Sequence, residues 1–546
     1  MSSSTETVHQ SGSGAAQRTY DVVIVGAGFS GMYLLHRLRA LGLSARVFEA
    51  GTDVGGTWYW NRYPGARVDV ESLTYSYSFD PELEQEWQWT ERYSPQPEIL
   101  RYAGHVADRF QLRSDIQFET KVTRADFDEE SGRWTVETDR GDTFDAQHFV
   151  MAVGCLSVPK LPDFKGMDRF KGEKYHTGLW PHEPVSFAGK RVIVVGTGSS
   201  AIQTIPVVAE EAEHVTVLQR TPNFSVPAWN RPLDKEWEAE YKGRYRELRE
   251  KAKHSFVGDI FPISETPARD FSPEEQRAEL EKRWQQGGFS VLVAFSDILL
   301  DEESNRIATE FVHEKIRSIV KDPATAELLC PKDHPFGTKR MCVDTNYYAT
   351  YNRDNVSLVN IKGNPIAEVT EKGILLEDGT ELEGDAIIFA IGFDAMTGPI
   401  LNVDIHGRDG ASLREEWAGG PLTYLGLTVA GFPNMFLITG PGSPSVLSNM
   451  MVSIEQHVDL VADTIGALRE RGSSTIEATP EAQDAWMEHV NDLGSQTLHQ
   501  KANSWYVGAN IPGKPRVFMP YVGGVEAYRK KCDEIVANGY EGFRLS

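Results

Sequence analysis

Two glycine-rich turns constrain this chain more than anything else in it: GAGFSG from Gly26 to Gly31 and GTGSSA from Gly196 to Ala201. Each follows an apolar, β-branched run, DVVIV before Gly26 and RVIVV before Gly196, and each opens onto a stretch that reads as a helix. Runs of that kind form strands of a parallel sheet buried on both faces. A glycine turn leading from such a strand into a helix N-terminus brings backbone amides against a pyrophosphate. One such turn is a weak signal. Two in a chain of 546 residues predict two nucleotide sites, which suits a flavin and the nicotinamide that reduces it. The candidate contacts are Gly26, Gly28 and Gly31 in the first turn and Gly196, Thr197, Gly198, Ser199 and Ser200 in the second.

The charge that ends each second strand tells the two sites apart. In the first unit SARVFEA places Glu49 twenty-three positions after Gly26, where an acid takes the ribose hydroxyls of an adenine dinucleotide. In the second unit HVTVLQR places Arg220 twenty-four positions after Gly196. A carboxylate repels a 2′-phosphate and a guanidinium binds it, so the first site suits FAD and the second NADP rather than NAD. Thr221 adds a hydroxyl donor next to Arg220.

A chain that is 40% hydrophobic has ample material for two or three cored domains. Its formal net charge of -24 would repel nucleic acid and anionic membrane alike, so neither is expected as a partner. Cys155, Cys330, Cys342 and Cys532 show no C-x-x-C and no zinc spacing, which points to free thiols, no metal and a reducing, cytoplasmic compartment. Residues 1–18, Ser- and Gly-rich without the apolar segment of a signal peptide, read as a disordered tail, and no later run is long enough to span a bilayer.

The expected fold is α/β, with two Rossmann-like dinucleotide-binding domains, one for FAD and one for NADP, and a helical insertion in the NADP domain. From Pro232 to Asp322 the sequence is highly charged and helical in pattern, with Trp237, Tyr241, Tyr245 and Leu248 on one face. Strand patterns return at VSLVN and GILLEDG, and DAIIFAIGFDA runs into Gly392 much as HFVMAVG runs into Gly154. Reading those last two as crossings gives an FAD domain in two pieces, 19–157 and 385–546, an NADP domain in 158–231 and 323–384, and an insertion over 232–322.

Two longer motifs carry chemistry. FKGEKYHTGLWP fits F-x-G-x-x-x-H-x-x-x-W-P through Phe170, Gly172, His176, Trp180 and Pro181, and GGTWYWNRYPGARVD, from Gly55 to Asp69, fits G-G-x-W-x-x-x-x-Y-P-G-x-x-x-D. On these motifs the chain resembles the type I Baeyer-Villiger monooxygenases, in particular the phenylacetone, steroid and cyclohexanone monooxygenase group. The resemblance continues through DTNYYATYNR, GPGSPSVLSN and SWYVGANIPGKPR. It implies insertion of one oxygen atom of O2 next to a ketone carbonyl, giving an ester or lactone, with NADPH as reductant and a flavin C4a-peroxide as oxidant. Such a species must stay deprotonated and shielded from water.

Residue by residue, the resemblance implies the following roles. Arg340, in GTKRMCVDT, falls on the arginine beside the flavin, where its permanent charge stabilises anionic oxygen, and Asp69 falls on the acid that orients it. Lys339 reaches the 2′-phosphate alongside Arg220 and Thr221, a solvated lysine being the alternative. Thr57, Trp58, Arg67, Tyr75 and Val122 fall near FAD, Val122 through its backbone at the adenine end. Tyr63 falls on the substrate side, although Trp58 and Tyr63 could equally be core aromatics. Ser445, Val446 and Leu447 wall the ketone pocket, and Trp505 belongs to a hinged loop that closes over nicotinamide.

His176 titrates near neutrality, but the family's motif lies in the linker between the nucleotide domains. There His176 and Trp180 would couple domain rotation to NADP placement rather than exchange protons with substrate. Two rival activities remain at this stage: an N- or S-oxygenating flavin monooxygenase, whose relatives lack the Trp180–Pro181 pair, and an NADPH oxidase or flavin reductase. Which ketone is used and the oligomeric state, a monomer included, do not follow from the sequence.

Overall fold

The computed structural model describes residues 18–546. The expected tail lies outside the described residues except for Arg18, which begins the first strand. Alternation along Arg18–Val25 sends Val22 and Ile24 into one buried cluster and Val23 and Val25 into another, so the strand is covered on both faces. Arg191–Val195 is divided in the same way, Val192 and Val194 against Ile193 and Val195.

Each of these strands lies inside its own sheet. Arg18–Val25 pairs in parallel with Ala45–Phe48 and Thr143–Met151 within an eight-stranded sheet, which an antiparallel meander through Val122–Asp128 and Arg133–Thr138 extends. Arg191–Val195 lies between His214–Gln219 and Ala386–Phe389 in a five-stranded sheet paired in parallel throughout.

The helix after the first turn spans Phe29–Ala40, whereas the sequence predicts Met32 to Leu41. Gly31 is the reason. It sits inside the first helical turn, so close under the preceding strand that an added Cβ would lie 1.9 Å from the Gly26 carbonyl oxygen. The helix after the second turn spans Ser199–Glu211.

One expected boundary is corrected. The sequence reading returns the chain to the first domain at 385, but Ala386–Phe389 pairs with Arg191–Val195 and Glu173–His176 in the second sheet. The return crossing therefore follows this strand, at 390–397. An apolar run ending in glycine has one pattern in either sheet, and periodicity does not reveal its pairing partners. The outward crossing, 154–164, runs alongside, with the Lys160 N–H donating to the Gly392 carbonyl and the Asp394 N–H to the Val158 carbonyl, each at 2.9 Å.

Between Ser225–Pro227 and Cys342–Asp344, which pair in parallel, the chain is largely helical, through Lys235–Gly243, Tyr245–Lys253, Pro273–Gln286 and Glu302–Ile319. The expected aromatic face is shared by the first two of these helices, with the Tyr241 ring 5.3 Å from Trp237 and 5.5 Å from Tyr245. All four cysteines are buried thiols. Among the described residues no helix is long and apolar enough to cross a membrane.

Candidate active site

Both glycine turns open onto one cavity of about 1040 Å³. Gly26 and Gly196 take φ values of +101° and +117°, and a Cβ on either would run into a backbone carbonyl, that of Ala152 at 2.7 Å or Ala390 at 2.4 Å. Helices Phe29–Ala40 and Ser199–Glu211 start at Gly28 and Gly198 with no side-chain cap and no acidic residue in the first turn. Other helices are capped by Asp80, Ser272, Asp301, Asn449 and Thr479. Two helix N-termini therefore present free amides and positive dipole ends where the chain turns past the cavity. Gly198 leaves nothing within 4 Å of where a Cβ would project, so the backbone there can be approached closely. The donor set fits two pyrophosphates. Thr197, Ser199 and Ser200 are on the wall with Gly198; Gly31 is not, because it packs beneath the turn.

At the first site Glu49 is held by two backbone amides: Ala27 N–H donates to Oε2 at 2.8 Å and Gly51 N–H to Oε1 at 2.7 Å. Burial pushes its carboxyl pKa up against the pull of those amides. Thr57, Trp58, Tyr75 and Val122 share this wall. Trp58 Nε1 donates to the Tyr75 hydroxyl at 3.1 Å, and Trp58 is also buried, so it serves as core and as wall at once. Arg67 borders the cavity as well, but its guanidinium is engaged by Glu91 and the Tyr93 carbonyl.

At the second site Arg220, Thr221 and Lys339 converge on the wall. Thr197 Oγ1 donates to the Thr221 carbonyl at 2.9 Å, joining turn to strand end. Burial lowers the Lys339 pKa, and the charge of Arg220 lowers it further against the opposing pull of Asp333. Lys160, which the sequence reading does not single out, joins this positive cluster: its pKa is lowered by burial and then by Arg220. Crowded cations of this sort suit a phosphate.

Arg340 and Asp69, 271 residues apart, meet on the wall of the cavity that both turns border. Arg340 Nε and Nη2 both donate to Asp69 Oδ2, at 3.0 and 2.7 Å, and Nη1 donates to the Val446 carbonyl at 2.5 Å. Its guanidinium carbon lies 5.0 Å from the centre of the Phe289 ring, and Asn223 Nδ2 donates to its carbonyl at 3.0 Å. Burial alone would weaken this charge, but Asp69 and Tyr506 outweigh it and hold the Arg340 pKa above its ordinary value. The result is a fixed cation with no proton to give at neutral pH.

Tyr63 is on the same wall, its phenol pushed up to about 12 by burial and its hydroxyl donating to Gln203 Oε1 at 2.9 Å. Gln203 Nε2 in turn donates to the Arg67 carbonyl at 3.0 Å, so the Gly55–Asp69 motif is seated on helix Ser199–Glu211. Val446 and Trp505 border the cavity. Ser445 and Leu447 do not. Ser445 is fully buried, with Oγ donating to the Thr439 carbonyl at 3.2 Å, and Leu447 packs against the cluster around Tyr506 and Phe518.

None of the Phe170–Pro181 motif borders the cavity. Phe170 is buried behind the second sheet, and a Cβ on Gly172 would lie 2.3 Å from the Asp385 carbonyl oxygen. His176 Nδ1 accepts from Gly178 N–H and its Nε2–H donates to the Lys160 carbonyl, both at 3.0 Å, while burial lowers its pKa. Both ring nitrogens are thus bonded to backbone. Trp180 stacks on Tyr175 at 5.0 Å, and Pro181 follows it half-buried. The motif clasps the outward crossing at Lys160. Gln203, Asn223, Phe289, Lys160 and Tyr506 escape the sequence reading; only Tyr506 had a local signal, as the neighbour of Trp505.

Residues 19–230 match the family described as flavin-binding monooxygenase-like. A protein of Pseudooceanicola batsensis named Baeyer-Villiger monooxygenase is 45% identical over 95% of this chain and 95% of its own. The chain belongs to the Baeyer-Villiger monooxygenases. Within that family, a solved structure of an oxidized steroid monooxygenase bound to NADP has a TM-score of 0.93 and 53% identity, covering 96% of this chain and 99% of its own. A phenazine N-monooxygenase of Lysobacter antibioticus is 43% identical over 96% of this chain and 97% of its own. This chain is thus nearly as similar to a relative named for oxygen transfer to nitrogen as to one named Baeyer-Villiger monooxygenase.

Proposed function

We propose that this enzyme inserts one oxygen atom of O2 next to a ketone carbonyl, giving an ester or lactone, with FAD at the first glycine turn and NADPH at the second. The observation that carries the reading is Arg340, fixed by Asp69 and the Val446 carbonyl on the wall that both turns share. When bound, FAD would supply the redox chemistry that links NADPH to O2. The chain supplies binding, orientation and charge. Uncapped helix N-termini at Gly28 and Gly198 take the pyrophosphates, and Arg220, Thr221 and Lys339 take the 2′-phosphate.

Arg340 stabilises the negative charge that develops on substrate oxygen, and Asp69 keeps its donors aimed. Val446 limits room beside it, and the loop carrying Trp505 excludes water. N-oxygenation is the second reading, favoured by the phenazine N-monooxygenase relative. It requires a protonated oxygen donor, and a permanent cation provides no proton. Four buried free thiols support a cytoplasmic location. NADPH consumption with and without a panel of ketones tests the reading, which predicts ketone-dependent consumption matched by ester.

Coenzyme choice is separately testable. Removing a charged partner of the 2′-phosphate with Arg220→Ala should raise KM for NADPH by about 10- to 100-fold and leave KM for NADH within about twofold. An equal rise for both coenzymes would remove Arg220 from the 2′-phosphate.

A further inference from the structure

The turn that presents Val446 to Arg340 is strained at both ends. Thr439 and Ser445 adopt φ values of +57° and +39°. For a β-branched residue this conformation is an outlier that persists only where the surroundings over-determine it. Here the Thr439 N–H donates to His457 Nδ1 at 3.0 Å and its carbonyl accepts from Ser445 Oγ at 3.2 Å. The Ser445 carbonyl accepts from Ser448 Oγ at 2.8 Å, and the next carbonyl, that of Val446, receives Arg340 Nη1.

His457 lies on helix Met450–Arg471, fully buried and away from the cavity wall. Burial pushes its pKa down to about 3, so Nδ1 remains an acceptor at neutral pH. Nε2 finds no partner among the described residues, which leaves the bond from Thr439 as the hydrogen bond the ring makes. From these contacts we propose that His457 is a positioning residue for oxygen insertion: it holds Thr439 in its strained conformation and so sets the Val446 carbonyl against the Arg340 guanidinium. The inference rests on the role given above to Arg340.

His457→Leu removes the acceptor and leaves a buried N–H unpaired, while His457→Asn returns an acceptor close to the position of Nδ1. In the leucine variant, ester formed per NADPH consumed should fall about tenfold, with KM for NADPH and the anaerobic rate of flavin reduction within about twofold of the parent. Amide hydrogen exchange across 439–448 should speed up in the same protein. The asparagine variant should recover most of both. If His457→Leu does not fold, Ser445→Ala, which removes the hydroxyl bond to the Thr439 carbonyl, should shift coupling and exchange in the same direction by a smaller amount.

Parent coupling in a folded His457→Leu protein would overturn the proposal, as would lost coupling with unchanged exchange across the turn. In the Ser445→Ala protein the same two results count the same way. Arg340→Ala separates the two levels. If it leaves coupling intact, the reading of Arg340 fails; if it abolishes coupling and His457→Leu does not lower it, only the present inference fails.

Discussion

Arg340→Ala is expected to lower ester formation by at least about 10²- to 10³-fold while NADPH continues to reduce the bound flavin. The two steps are expected to separate because the groups proposed to hold the NADPH phosphates, Arg220, Lys339 and the uncapped N-terminus at Gly198, are distinct from the guanidinium proposed to act on oxygen. In the proposed function hydride transfer needs those groups, whereas charge stabilisation at the reacting oxygen needs the Arg340 guanidinium, which Asp69 holds by two hydrogen bonds. Arg340→Lys should restore little, since a single ammonium cannot place two donors on Asp69 Oδ2 and a third on the Val446 carbonyl. Stopped-flow reduction under nitrogen and product analysis in air check the two halves independently. A variant that keeps its esters would remove Arg340 from the mechanism.

Gly31→Ala should yield protein that is destabilised and largely free of flavin. Its Cβ would sit 1.9 Å from the Gly26 carbonyl oxygen and 3.6 Å from the Ala152 Cβ, and that carbonyl has little freedom to retreat. Gly26 is itself pressed against the Ala152 carbonyl, 2.7 Å from where its own Cβ would be. The overlap can be relieved only by moving the turn or the helix, at a cost of about 1–3 kcal/mol or more, and either movement displaces the amides meant for a pyrophosphate. Gly198→Ala makes the contrasting control, because its Cβ meets no protein atom within 4 Å. That variant should fold and retain flavin while binding NADP less tightly. Flavin absorbance per protein and the melting temperature distinguish the two. Full flavin occupancy and a parental melting temperature in Gly31→Ala would contradict the packing argument.

What the sequence revealed and what it concealed divide along physical lines. Both nucleotide units were legible because glycine turns, apolar strands and an end-of-strand charge are local patterns, and Glu49 and Arg220, each just past the end of its strand, both border the cavity. The side to which Ala386–Phe389 belongs was not legible, because strand pairing is a long-range choice that alternation does not encode. Ser445 and Leu447, with Val446, were placed in the pocket by the resemblance of GPGSPSVLSN to the family loop that walls it. In a one-turn 3₁₀ segment, however, successive side chains point in different directions, and only Val446 borders the cavity. Gln203 and Phe289 are set against Tyr63 and Arg340 by the packing of one domain's elements on another, so nothing in their neighbouring residues marks them. His176 illustrates the opposite case, a residue conspicuous in sequence whose two ring nitrogens are both bonded to backbone.

Isotopic tracing tests the central claim most directly: NADPH, a ketone and a competing tertiary amine are supplied together under ¹⁸O2, and the products are resolved by mass. An ester carrying a single heavy oxygen atom, formed in step with NADPH consumed and well in excess of N-oxide, is the predicted result. Consumption of NADPH that yields only hydrogen peroxide, or labelled N-oxide without labelled ester, would contradict it.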